Sequence, residues 1–123
     1  MAPLNRYDLA AKKKSDAMVA AFAAVRVAKN LRTEHKGTLA EAKKLEAECE
    51  QACEVWTSAK AHAAPGVYRD DAKKTAGYLA GLWSEASLLA LQSDVRAQDA
   101  EETAVAAVDA MNVAIETNRG LWR

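Results

Sequence analysis

Twenty-nine of the 123 residues are alanine. Alanine has the strongest helix preference of any residue and a side chain too small to suit a strand or to fill a wide core. Only 6% of the chain is aromatic, and turn-forming residues are scarce, with 5 Gly and 2 Pro. Sheet architectures need β-branched and aromatic strands separated by frequent turns, so this composition excludes most of them. Half of the residues are hydrophobic and the formal net charge is zero, which speaks against disorder. The longest apolar run, Ala17 to Val25, has nine residues, where a membrane span needs about 20. An all-α fold is what remains.

Punctuation within the chain predicts an antiparallel bundle of three to four long helices. Gly37 suits the position just past a helix end, with His35 and Lys36 favourably placed near the negative end of the dipole. Thr38 and Glu41 then form a Thr-x-x-Glu capping box for the next helix. Pro65 and Gly66 mark a second break. The third segment is either one very long helix or two, with a break near residues 92–95 and Ser93 or Asp94 as the N-cap. Helices at about 7–35, 38–63, 67–92 and 95–118 have similar lengths, as a single bundled domain over 1–123 requires. Gly120 reads as the residue after the last helix.

Apolar spacing supports helices throughout. From Ala42 the residues Leu45, Cys49, Ala52, Trp56, Ala59 and Ala63 follow in alternating steps of three and four, a heptad seam. Alanine-rich helices bury modest area, so a few large residues, including Met18, Phe22, Leu45, Trp83, Leu89 and Met111, are expected to plug the core. Gly77 and Gly81 sit inside the third segment, where each costs about 1 kcal/mol relative to alanine. Close approach to another helix, or a surface offered to a partner, would compensate. Cys49 and Cys53 are four apart on one helix face with Cβ vectors that do not converge, so reduced thiols are expected in preference to a bridge.

Charge is unevenly spread. Residues 1–36 carry eight Lys/Arg against three Asp/Glu, and residues 93–123 carry three against six. Antiparallel packing of the first and last stretches, or contact between chains, would use that asymmetry.

The residues show little chemistry. Five dispersed glycines make no phosphate loop. His35 and His62 lack the Glu-x-x-His spacing of di-iron helices, and His62 lies about 13.5 Å along the helix from Cys53, too far for a thiol–imidazole pair. Neither catalytic residues, cofactor nor metal are expected, and no small-molecule substrate is evident. His35 reads as a partner for a helix C-terminus. Glu46, Glu50 and Glu54 read as a solvated face.

Protein–protein contact by a non-enzymatic helical protein is the expected function, with the chain itself as the first partner. An assembly component, an adaptor or a small inhibitor of a larger machine would all fit. The expected interface residues are Gly77, Gly81, Leu121 and Trp122. A nucleic-acid-associated regulator is the alternative, with Arg26, Lys29, Arg32 and Lys36 as candidate phosphate contacts along one stripe of the first helix. The same stripe could meet an anionic membrane surface. The opening Met-Ala-Pro-Leu-Asn-Arg-Tyr-Asp has no apolar signal region, and a cytoplasmic location is the default expectation.

Overall fold

A computed structural model describes residues 5–123. The first four residues of the opening stretch just considered lie outside the described residues. The fold is all-helical, but it is two helices packed as a hairpin and not a bundle of three to four. α1 spans Arg6–Ala61 and α2 spans Gly66–Leu121, each of 56 residues. Among the described residues no helix is long and apolar enough to cross a membrane.

Both ends of α1 are closed by local hydrogen bonds. Asn5 is the N-cap: its Oδ1 accepts from the Asp8 amide at 2.9 Å, satisfying one of the helix's unpaired donors. At the other end Ala63 takes a left-handed conformation with φ of 47°. The Ala64 amide donates to the Ala59 carbonyl at 3.0 Å and the Ala63 amide to the Lys60 carbonyl at 3.4 Å. That pair of bonds is the Schellman arrangement. The expected turn at Pro65 and Gly66 is therefore present, but its left-handed residue is an alanine.

The helix ends expected at Gly37 and Gly120 are absent, and residues 67–118 take the single-long-helix alternative, for one physical reason. Gly37 lies within α1 and is no terminus; a Cβ there would meet nothing within 4 Å. Thr38 does not cap a helix, since its hydroxyl donates to the His35 carbonyl at 2.9 Å. Residues 92–95 are continuous helix, and Ser93 is buried instead of capping. Gly120 is likewise inside α2. In α1 the buried or half-buried residues repeat every seven along Ala21, Ala28, His35, Ala42, Cys49 and Trp56. In α2 the repeat runs through Ala86, Ala90, Ser93, Ala97 and Ala100. A glycine inside a helix costs about 1 kcal/mol, whereas ending the helix would break a seam that buries a side chain at every turn.

The chain divides into two compact units. One combines α1 up to Arg32 with α2 from Val95, and the other is Thr33–Asp94. Among the described residues, the buried apolar side chains are eleven alanines and Cys49. The larger residues expected to plug a core stand at its edge or outside it: Phe22 is 59% and Leu89 54% exposed. Two helices enclose only a narrow strip between them, and methyl groups fill it.

In the Thr33–Asp94 unit, Ala42, Ala86 and Ala90 form a cluster against which Leu45 packs. In the other unit Ala21, Ala28, Ala97 and Ala104 are buried. There the Arg32 guanidinium pairs with the Glu101 carboxylate, which brings together residues of the basic opening stretch and the acidic closing stretch.

Candidate functional site

The heptad places three polar side chains in the seam of the Thr33–Asp94 unit. His35 and Thr38 come from α1 and Ser93 from α2. Ser93 Oγ donates to the Ala90 carbonyl at 2.9 Å. It also lies 2.7 Å from Thr38 Oγ1 and 3.0 Å from His35 Nδ1. The same Nδ1 lies 3.1 Å from the Ala90 carbonyl. A carbonyl can only accept, so Nδ1 carries the hydrogen in this arrangement. On the opposite ring edge His35 Nε2 stands 3.8 Å from Asp94 Oδ1. Ser93 is only 2% exposed, and His35 Nδ1 and the Thr38 and Ser93 hydroxyls each have a backbone carbonyl within hydrogen-bond distance.

Serine, histidine and aspartate in one place invite comparison with a nucleophilic triad. The geometry differs from one. A triad sets serine and carboxylate on opposite ring nitrogens, with the carboxylate orienting Nδ1; here the serine and a carbonyl share Nδ1 and the carboxylate faces Nε2. The amides near Ser93 are mid-helix and bonded to carbonyls one turn back, so they offer no oxyanion donors. A polar residue in an otherwise apolar seam favours the alignment in which it finds its partners.

Beside this layer an open cleft of about 480 Å³ is lined by His35, Leu39, Glu46, Trp83, Leu91 and Asp94 among others. Of its lining residues Leu91 also belongs to an exposed face of α2. There Gly77, Gly81, Ser84, Leu88 and Leu91 follow in steps of four and three, all exposed. A Cβ at Gly77 or Gly81 would meet nothing within 4 Å. Leu88 is 56% and Leu91 62% exposed. The two glycines are thus not used for packing between α1 and α2.

The other expected interface residues lie in the second unit. Leu121 is half-buried and lines a groove of about 370 Å³ with Leu9, Lys13 and Val113. Trp122 is 71% exposed, with its ring 5.0 Å from that of Tyr7. Tyr7 in turn lies under the Arg6 guanidinium at 4.9 Å.

Of the candidate phosphate contacts, Arg26 and Lys29 are exposed in that same unit, while Arg32 is half-buried and bound to Glu101. Lys36, also exposed, belongs to the Thr33–Asp94 unit. His35 is no helix C-terminal partner, because α1 continues past it.

Cys49 is buried and Cys53 exposed, both unbridged. Burial pushes the Cys49 thiol above its ordinary value, with Cys53 and Glu50 adding to the shift. Among the described residues no group of three or more His, Cys, Asp or Glu could hold a metal ion.

Sequence reasoning missed the polar layer because Gly37 reads as a stop. Continuing the Ala42 seam backward by four and by seven residues reaches Thr38 and His35, and that spacing was the available signal. Comparison with protein-family models, with curated proteins and with solved structures found no match.

Proposed function

We propose that this chain acts without catalysis, through protein–protein contact, as an assembly component, adaptor or small inhibitor, and that it associates with itself. One observation carries the reading. Alanine fills most of the strip between α1 and α2, while many of the large apolar side chains stand outside it. Val19, Phe22, Leu88, Leu91, Val113 and Trp122 are each more than half exposed. Scattered exposed leucines need no explanation, but apolar residues arranged along a helix face mark an interaction surface. On α1 Val19 and Phe22 are three residues apart, as are Leu88 and Leu91 on α2, and a two-helix hairpin has no third element to cover such faces.

The reading is tested by placing a photo-crosslinking residue at Leu88 and, separately, at Trp122 in the full chain. Discrete protein adducts are expected from at least one position, and none from an exposed polar control at Thr57. Absence of protein adducts at both positions would overturn the reading. Retention on heparin that falls steeply with salt would turn attention to the basic residues of α1; the pairing of Arg32 with Glu101 weighs against that outcome.

A further inference from the structure

We infer that two copies of this chain pair antiparallel along the outward face of α2, with a two-fold axis at Ser84. This rests on the protein-contact reading and names its geometry and occupant. The face has two unlike halves. Gly77 and Gly81 lie on one side of Ser84 and Leu88 and Leu91 on the other, all exposed and all on one helical stripe. Reversing the helix about Ser84 sets Leu91 of one copy level with Gly77 of the other, and Leu88 within one residue of Gly81. Side chains that project from one half then meet a half that has none. An isologous interface requires such self-complementarity, and glycines allow two helix backbones to approach closely enough for leucines to pack against them.

The charges along the neighbouring edge obey the same reversal. That edge carries Lys73, Ala80, Ser87 and Asp94, in steps of seven. About the Ser84 axis Lys73 of one copy falls within one residue of the level of Asp94 of the other, and Ala80 within one residue of Ser87. Opposite charges thus fall at both ends of the contact and small residues at its middle. Lys73 is exposed and Asp94 half-buried beside His35. On the other edge Glu85, exposed and next to the axis, meets its own copy. This like-charge contact opposes the pairing and offers a handle on it. An unrelated partner has no reason to match the chain's own sequence in reverse, whereas a second copy does so by symmetry.

The test is sedimentation of the full chain over a range of concentrations, with circular dichroism to verify folding. A concentration-dependent dimer is expected. Leu88→Glu combined with Leu91→Glu should weaken it about 100-fold or more, as apolar residues central to an interface carry most of its energy. Their exposure in the hairpin means helicity should not change. Lys73→Glu should weaken it less and reduce its salt dependence, and Glu85→Gln should strengthen it.

A second measurement fixes the axis. With Cys49 and Cys53 replaced by alanine, Ser84→Cys should oxidise to a covalent dimer far faster than Thr57→Cys. A chain monomeric at every concentration, a dimer indifferent to the Leu88/Leu91 pair, or equal oxidation at Ser84 and Thr57 would each overturn the inference. If the chain is monomeric but Leu88 still crosslinks to other proteins, self-pairing fails and protein contact survives. If it is monomeric and no adducts form at either crosslinking position, both fail.

Discussion

Polar side chains enter the seam in both units of the molecule, with opposite results. In the Thr33–Asp94 unit, His35, Thr38 and Ser93 meet within hydrogen-bond distance of one another or of backbone carbonyls. In the unit that combines α1 up to Arg32 with α2 from Val95, Asn118 lies at a seam position with its Oδ1 buried and without a hydrogen-bond partner. A satisfied polar layer costs little and favours one alignment of the helices. A buried polar atom left unpaired loses its hydration with no replacement. Both seams are built around buried alanines, with Ala21 and Ala97 at 1% and 0% exposure in the Asn118 unit, and both add half-buried larger residues: Met18, Leu31, Met111 and Ile115 there, Leu45, Trp56 and Leu79 in the Thr33–Asp94 unit. What separates the units is the pairing of their polar seam residues.

The largest effect is expected where smallness is removed. Ala97→Leu should destabilise the protein by about 3 kcal/mol, the upper end of what overpacking a filled site costs. Chemical denaturation measures it; a change below about 0.5 kcal/mol, within the range of ordinary surface substitutions, would mean that the alanine seam has room to spare. Asn118→Leu should act in the other direction, stabilising by about 2 kcal/mol, since it replaces an unpaired polar group with an apolar one of similar size. A loss of stability would show that Asn118 is satisfied in solution and would end the contrast between the units.

Ser93→Ala should cost about 1 kcal/mol. His35 and Thr38 each keep a backbone acceptor, and for that reason the loss is modest. Combined with Thr38→Ala, the two losses should be non-additive, because both remove the same 2.7 Å contact. Simple additivity would show that the layer does not act as a unit.

Ala63→Gly should stabilise the turn by about 1 kcal/mol, because a left-handed backbone strains any residue with a Cβ. An unchanged midpoint in thermal unfolding would argue against the left-handed turn.

The smallest effect concerns the thiols. Cys53 should react with a thiol reagent at once, and Cys49 only on unfolding. The Cys49 thiol is raised above its ordinary value of 9.0, so its contribution to stability is complete below about pH 9 and declines as pH rises beyond it. Cys49→Ala should therefore flatten the alkaline loss of stability slightly. Equal reactivity of the two thiols in the folded protein would contradict the burial of Cys49.

Much of this was readable in the residues. The alanine content, the scarcity of turn formers and the steps of three and four after Ala42 were enough for helix throughout, and Pro65 with Gly66 located the one turn. Gly77 and Gly81 stood out as needing an explanation, and the fold leaves both on an open face. What misled was the weight given to single residues. Gly37, Ser93 and Gly120 each suit a helix end, yet a local preference of about 1 kcal/mol yields when the burial pattern on both sides keeps the same repeat.

Periodicity and propensity act within a few turns of one chain, so the sequence alone determined that this protein is helical and where its helices can meet a neighbour. Which residues meet depends on contacts between segments far apart in the chain. Tertiary structure therefore decided that there are two helices, that His35, Thr38 and Ser93 come together, and that Leu88, Leu89 and Leu91 of α2 face outward. Between only two rods there is space mainly for methyl groups along the line of contact, and many of the larger apolar side chains are left on the surface.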